Sequence, residues 1–304
     1  MIDTQIEDAE LSLMAVRQLT RDVRNAAVTL TDRQARFLVD LYYIWQEDRK
    51  RAYNQERSLD EASEPHAIIT WAAENAGLME REIRAALTRY AASRIPGRWA
   101  QSIVGIGPVI AAGLLAHVDP TRCRTAGQLW RFAGLDPTVR WERGMKRPWN
   151  AALKVLAWKI GESFVKVQNH PNDIYGHLFA KRKRDEWLRN LAGIYAPQAA
   201  EQLRLKAIHP NRPSYAWLSG QYAGAVFSTA GIVPTPADAN HPGVPMLSPA
   251  HIHARARRWA TKLFLAHYQA VAYEDKFHEP PPKPYVIAML GHADYIGPPN
   301  WPLA

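Results

Sequence analysis

The chain has 304 residues, of which 47% are hydrophobic, and a formal net charge of +9 at pH 7. This composition excludes a disordered polymer, because enough apolar side chains are present to build a core. No stretch approaches the roughly 18 unbroken apolar residues of a membrane span, and the N-terminus is acidic where a signal peptide would be basic and then apolar. We therefore expect a cytoplasmic protein that does not bind a membrane.

The first predicted unit, residues 1–93, is helical. Thr-Asp-Arg-Gln at residues 31–34 has the form of a capping box and opens a helix that runs to about Arg57. A second helix is predicted from about Pro65 to Ser93, with apolar residues at helical spacing. The two helices predict a helical hairpin that packs within one chain, or a stalk through which two copies form a homodimer.

The second predicted unit, residues 94–200, begins with a compact apolar segment that is interrupted by glycines and ends at residue 137. A basic connector, Arg140–Arg147, follows it. Pro148 suits the first position of the next helix. The core stripe of that helix is predicted to consist of Leu153, Leu156, Ala157, Ile160, Phe164 and Val167. A further helix from about Asn172 carries the basic run 181–184.

The third predicted unit, residues 201–304, begins with a stretch rich in Pro, Gly, Ser and Asn that predicts a long, mostly irregular connection over residues 205–247. Ser248 and Pro249 then form an N-cap and first turn, and they start a basic amphipathic helix that runs to about Phe277. The proline-rich tail is predicted to be extended. Because strand signals are almost absent, the predicted fold class is mainly α: a helical bundle or stalk, a helix-hairpin-helix domain and long Pro-rich loops.

The segment 103–116 (IVGIGPVIAAGLLA) contains the strongest functional motif. An apolar helix end meets Gly105-Ile106-Gly107, and a second helix starts at once. Positive φ at both glycines allows a tight reversal, and Ile106 fills the space between the helices. The amides at the start of the second helix, including that of Val109, can bind a phosphate oxygen. This helix-hairpin-helix pattern predicts contact with a nucleic-acid backbone in a largely sequence-independent way.

Two other interpretations of this segment compete with phosphate binding. A dinucleotide loop would require a preceding strand and a third glycine where Ile110 stands, so it is not supported. A plain helical turn in a packed core stays open. Basic charge favours phosphate contact, because residues 101–200 hold 15 Lys and Arg against 7 Asp and Glu.

Several short motifs occur in a fixed order between Val104 and Lys154. They are Gly105-Ile106-Gly107-Pro108, Ala111-Ala112, Gln128-Leu129, Phe132-Ala133-Gly134-Leu135-Asp136-Pro137, Lys146-Arg147, Asn150 and Leu153-Lys154. In this order they resemble the C-terminal domain of the IS110/IS116/IS902 family of transposases. The resemblance implies mobile-element ancestry and a helical domain that helps to hold DNA. The preceding long helices are similar to the family's coiled-coil connector.

The chain also departs from that family. Its transposases carry an N-terminal RuvC-like domain with four acidic metal ligands, whereas this chain begins with helices. They also carry a nucleophilic serine after the Gly-Leu-x-Pro motif, whereas residues 138–144 (TVRWERG) contain none. Pro148-Trp149 interrupts the family's Lys-Arg-Gly-Asn before Asn150. No catalytic residue is therefore predicted, and binding without cutting is favoured.

Neither a metal nor a cofactor is predicted. The single cysteine, Cys123, excludes an internal disulfide and a cysteine-based zinc site. The chain has eleven histidines, but His251 and His253 are two residues apart on a predicted helix and point in different directions. Asp119 and Asp136 precede prolines and are predicted to begin turns.

The sequence thus predicts a sequence-tolerant DNA-binding protein. The predicted DNA contacts are Gly105, Ile106, Gly107, Val109, Arg122, Arg124, Arg140, Arg143, Lys146, Arg147, Lys181, Arg182, Arg255, Arg258 and Lys262. Two alternatives stay open. One is an RNA-binding component of a ribonucleoprotein, because tryptophans such as Trp130 and Trp141 lie among basic residues and can stack on unpaired bases. The other is a strand-transfer or nicking enzyme that acts with a partner supplying catalytic residues, with Asp136 or Glu142 as metal ligands.

Overall fold

The computed structural model describes residues 18–206, 208–221, 243–283 and 295–303. These residues form eleven α-helices and no strand, so the predicted mainly α class is confirmed. In chain order the helices are α1 (Arg21–Asn25), α2 (Asp32–Glu61), α3 (Ala67–Ala92), α4 (Ile95–Gln101), α5 (Pro108–His117), α6 (Ala126–Phe132), α7 (Ala151–Val167), α8 (Tyr175–Leu191), α9 (Ala196–Lys206), α10 (Pro213–Leu218) and α11 (Pro249–Phe277). None of the described helices is both long enough and apolar enough to cross a membrane.

The two long helices α2 and α3 form an antiparallel hairpin. The predicted capping box is present, since the Gln34 amide donates to Thr31 Oγ1 at 3.3 Å and the Thr31 amide donates to Gln34 Oε1 at 2.9 Å. The buried carboxylate of Glu80 on α3 accepts hydrogen bonds from Gln46, at 3.1 Å, and from Arg49 on α2. Polar pairing therefore links the two helices along their shared face.

The main hydrophobic core contains residues from helices α2 to α8 and from α11. Trp99 on α4 stacks on Phe264 of α11 with ring centroids 5.7 Å apart, and Phe164 on α7 stacks on Tyr175 of α8 at 4.8 Å. All three predicted units contribute side chains to this core. A second, smaller cluster joins the end of α8 to α9, α10 and the start of α11, with Trp187 against Trp217.

One prediction about a helix boundary is wrong. Helix α7 begins at Ala151, because the Asn150 side chain caps it by accepting from the Leu153 amide at 2.9 Å, so Pro148 lies before the helix. The short helix α10 lies within the stretch predicted to be mostly irregular, and Pro213 occupies its first turn. Residues 222–242 of that stretch lie outside the described residues. Helix α11 has the predicted boundaries.

The C-terminal tail packs along α4 and α11. The Trp99 indole Nε1 donates to the carbonyl of Pro299 at 2.7 Å, and Asn300 Nδ2 donates to the carbonyl of Ser102 at 3.1 Å. Trp301 Nε1 donates to Glu274 Oε2 at 2.9 Å. The tail is therefore part of the structure that supports the hairpin of α4 and α5.

Candidate nucleic-acid interface

The turn between α4 and α5 places its two glycines in different conformations. Gly105 has φ +92°, and a Cβ at this position would lie 3.1 Å from Ser163 Oγ, so the backbone conformation favours glycine and the space is tight. Gly107 has φ −83° and ψ 172°, so the prediction of positive φ at this glycine is wrong. It is exposed, and a Cβ added to it would meet open space. Ile106 is buried in the main core, as predicted.

The start of α5 offers free backbone donors. The first helical bond is donated by the Ala111 amide to the Gly107 carbonyl at 3.0 Å, and no side chain caps this end. Among the described residues, nothing accepts a hydrogen bond from the amides of Gly107, Val109 or Ile110. Val109 is buried, so its backbone rather than its side chain is the group available to a ligand. Such amides, at the positive end of the helix dipole, suit a phosphate oxygen.

The hairpin turn and the basic connector lie at opposite ends of α7. Ser163, near the end of α7, donates to the Gly105 carbonyl. Asn150, at the start of α7, approaches His117 at the far end of α5, with 3.3 Å between Asn150 Nδ2 and His117 Nδ1. The helix between Asn150 and Ser163 is about 20 Å long at 1.5 Å per residue. The basic residues that follow the hairpin in sequence are therefore not its spatial neighbours.

In the connector, aromatic rings contact one another and pack against cations. The rings of Trp141 and Trp149 meet edge to face with centroids 6.2 Å apart. The Arg147 guanidinium lies 5.5 Å from the Trp141 ring, and Lys154 Nζ lies 3.9 Å from the Trp149 ring. Cation–π contacts of this kind hold the charges in place while leaving them accessible. The remaining predicted connector cations, Arg140, Arg143 and Lys146, are exposed and form no ion pair within the described part of the chain.

Trp149 is positioned by Gly134, which lies two residues after the end of α6. Gly134 has φ +66°, and a Cβ there would lie 2.8 Å from the Trp149 ring. The Asn150 amide then donates to the Phe132 carbonyl at 2.9 Å, which ties the end of the connector to α6. The connector is therefore anchored beside α6.

Further cations lie on the middle of α11, which packs against α6, the helix beside which the connector is anchored. Lys262 Nζ lies 4.2 Å from the Trp130 ring of α6, and Trp130 Nε1 donates to the Lys262 carbonyl at 2.8 Å. Burial lowers the pKa of Lys262, and the negative charge of Asp136 offsets part of this shift. The pKa of Arg258 is lowered mainly by burial and secondly by the positive charge of Arg255. Neither Lys262 nor Arg258 has an ion-pair partner among the described residues. Their positive charge is thus incompletely compensated.

Arg122 and Arg124 lie toward the C-terminal end of α11. The guanidinium of Arg124 is 5.5 Å from the Phe277 ring, and its carbonyl accepts from Gln269 Nε2 at 2.8 Å. Arg122 is exposed in the turn after α5. Both therefore belong to the side of the molecule on which α6 packs against α11.

Arg182 and Arg255 have an internal role in the structure. Both donate to the buried carboxylate of Glu186, with Nε to oxygen distances of 2.8 Å, and the Tyr195 hydroxyl donates to it at 2.6 Å. Burial alone would raise the pKa of Glu186, but these hydrogen bonds and charges hold it below its usual value. The charges of both arginines are therefore compensated inside the protein. Lys181, by contrast, is exposed.

Two aspartates near these cations, Asp119 and Asp136, cap turns. Asp136 Oδ1 accepts from the Thr138 amide at 2.9 Å and from its hydroxyl at 2.7 Å, and Asp119 accepts from Thr121 in the same way. Both aspartates thus begin turns, as predicted. Within the described residues, no three His, Cys, Asp or Glu side chains are grouped so that they could hold a metal ion.

Sequence reasoning missed Lys154 as a member of the basic surface and did not pair Lys262 with Trp130. The spacing of Trp149 and Lys154 does not by itself predict their contact, because the connector must first turn into α7. Trp130 and Lys262 are 132 residues apart in the chain. Only the packing of α6 on α11 brings them together.

Residues 97–146 match the model of a protein family described as Transposase IS116/IS110/IS902 family. The matched residues begin in α4, include the hairpin and α6, and end in the connector. The chain thus contains a helical domain similar to that of this family, which supports mobile-element ancestry and confirms the predicted resemblance. No curated protein and no solved structure matches the chain.

Proposed function

We propose that the protein binds DNA with little sequence preference through a basic–aromatic surface, with the hairpin amides as a second phosphate site. The basic–aromatic surface consists of Arg124, Trp130, Arg140, Trp141, Arg143, Lys146, Arg147, Trp149, Lys154, Arg258 and Lys262. The observation that carries the proposal is the placement of Lys262, Lys154 and Arg147 on tryptophan rings beside cations that lack acidic partners in the described structure.

This arrangement suits a polyanionic backbone. Each cation that contacts a phosphate releases condensed counterions, which favours association whatever the base sequence. Since the tryptophan rings already hold three of the cations, less side-chain entropy is lost on binding. The separation of about 20 Å along α7 between the connector and the hairpin corresponds to about six phosphate steps along one DNA strand. One duplex is therefore long enough to contact both sites.

A salt titration tests the basic–aromatic surface. Affinity is measured for a duplex DNA, a single-stranded DNA and a structured RNA of matched length between low and moderate salt. We expect the logarithm of duplex affinity to fall linearly with the logarithm of the salt concentration. The double variant Arg143→Gln, Lys146→Gln should reduce the magnitude of this slope by about 2. The matched control is Arg57→Gln with Arg81→Gln, which removes two exposed charges from α2 and α3.

The two double variants separate specific contact from net charge. If both change the slope equally, the binding depends on overall charge and the proposed surface is wrong. If the RNA binds tighter than both DNAs at every salt concentration, the RNA-binding alternative replaces the proposal. That alternative is favoured by the exposed connector ring of Trp141, which can stack on unpaired bases.

Gly107→Glu tests the hairpin separately. Its Cβ would meet open space and its φ is allowed for any residue, so the fold should tolerate the substitution. The added carboxylate would compete with phosphate for the free amides of α5. We expect at least a tenfold loss of duplex affinity for Gly107→Glu and no loss for Gly107→Ala. Equal affinity of Gly107→Glu and wild type would exclude the hairpin as a phosphate site.

A further inference from the structure

A cleft of about 150 Å³ lies between α2, α5 and α7, at the end of α7 that follows the basic connector. Its apolar wall is formed by Val39, Ala152, Val155 and Leu156, and its polar lining consists of Asp40, Tyr43, His117 and Lys159. Neither the resemblance to transposases nor the hairpin motif assigns a role to these residues.

His117 presents a neutral imidazole to the cleft. Burial, followed by the nearby charge of Arg36, lowers its pKa to about 4. Because Asn150 Oδ1 already accepts from the Leu153 amide, the Asn150 Nδ2 group is the one that donates to His117 Nδ1, at 3.3 Å. The proton of the neutral ring is therefore on Nε2, which can donate one hydrogen bond.

Two charged groups complete the polar side of the cleft. Lys159 Nζ lies 3.7 Å from the centre of the Tyr43 ring, and burial together with the charge of Lys50 lowers the pKa of Lys159. Asp40 stands exposed at the rim. Neither Lys159 nor Asp40 forms an ion pair within the described part of the chain. The cleft thus combines an apolar slot with two donors and one acceptor that are not engaged in ion pairs.

We propose that this cleft receives an unpaired pyrimidine base from the bound strand, an inference that rests on the proposed DNA binding. A cavity of roughly the same volume accommodates a benzene ring in another protein, so the space fits one six-membered ring better than the fused rings of a purine. The donors of His117 and Lys159 and the acceptor of Asp40 match the mixed hydrogen-bonding edge of a pyrimidine. The flat faces of the base can pack against the aliphatic wall of the cleft.

The position of the cleft connects it to the proposed DNA surface. Asn150 caps α7 immediately after the connector, and Ala152 at the cleft rim is two residues further along. A strand held by Arg143, Lys146 and Arg147 therefore passes close to the cleft mouth. Because flipping a base out of a duplex costs stacking and pairing energy, the cleft should select DNA in which a base is already unpaired.

The full chain is tested on three duplexes that differ only in carrying an extrahelical thymine, an extrahelical adenine or no extra base. We expect wild type to bind the thymine-bulged duplex about tenfold more tightly than the fully paired duplex, and more tightly than the adenine bulge. Ala152→Phe should abolish this preference without changing affinity for the paired duplex, because the new ring fills the cleft from an exposed rim position. Ala151→Phe, at the neighbouring exposed position outside the cleft, is the matched control.

The possible outcomes distinguish this inference from the proposed function. Tight binding to the paired duplex with no bulge preference, or a preference that Ala152→Phe retains, overturns the base site and leaves DNA binding intact. Failure to bind any of the three duplexes overturns both. Free thymidine is titrated in parallel, and saturable binding of the nucleoside that Ala152→Phe abolishes, without a bulge preference, would assign the cleft to a free nucleoside instead.

Discussion

Acidification from pH 7.5 to pH 5 should destabilise the protein through His267, a core residue of α11. The ring is 4% exposed and lies between two hydrogen-bond partners. Its Nε2 is 2.7 Å from the Ile296 carbonyl, which can only accept, and its Nδ1 is 2.7 Å from the Tyr175 hydroxyl. The Ile296 carbonyl therefore fixes a proton on Nε2, and in the neutral ring Nδ1 accepts from the Tyr175 hydroxyl. Burial lowers the pKa of His267 from 6.5 to about 4.

The sign and size of the effect follow from this pKa. Between pH 6.5 and pH 4 the unfolded chain binds a proton at this histidine and the folded chain does not. The stability that the neutral ring contributes is therefore complete above pH 6.5 and is lost progressively as the pH falls toward 4. At pH 5 the difference of 1.5 pH units from the unfolded pKa of 6.5 corresponds to about 2 kcal/mol.

Urea denaturation of wild type and His267→Gln at both pH values measures this contribution. Glutamine retains a polar side chain but cannot be protonated in this range, so the variant should lose about 2 kcal/mol less stability on acidification than wild type. His117 and His253 also have lowered pKa values and add to the pH dependence of both proteins equally. An equal loss in wild type and variant would refute the assignment of the pH dependence to His267.

Two further predictions concern the fold. Glu186→Gln should lower the free energy of unfolding at pH 7 by about 3 kcal/mol, because Arg182 and Arg255 lose their buried counterion, whereas Glu201→Gln in the exposed pair with Arg204 should leave it nearly unchanged. A small effect of Glu186→Gln in urea denaturation would contradict the structural role of this cluster. Gly97→Ala should destabilise strongly, since its Cβ would lie 2.0 Å from the Ala91 carbonyl oxygen, while Gly107→Ala should be close to neutral. Thermal unfolding of this pair checks the prediction, and similar melting temperatures would contradict it.

Local features of the fold could be predicted from the sequence. The capping box at Thr31 and the helix start at Ser248-Pro249 depend on contacts within a few residues, and both occur as predicted. The core stripe of α7 follows from its helical period, and five of the six predicted positions are fully buried. Only Val167, the last of the stripe, lies at the edge of the core.

The composition of the candidate site could be predicted only in part. The resemblance to transposases and the excess of basic residues pointed to the connector, and the structure shows its cations exposed. The conformation of Gly107 could not be derived, because a glycine permits both signs of φ and the packing of α5 decides between them. The contribution of Lys154 depends on how Trp149 folds over Gly134.

By itself, the sequence determined the long helices, the capping box at Thr31, the buried Ile106 and the abundance of positive charge, since these depend on composition and on neighbouring residues. The tertiary structure decided which charges are available. Arg255 is neutralised by Glu186, a residue 69 positions away, and the connector is separated from the hairpin by the length of α7. Because helix packing brings together residues that are distant in the chain, no local pattern shows which cations are paired or where they cluster.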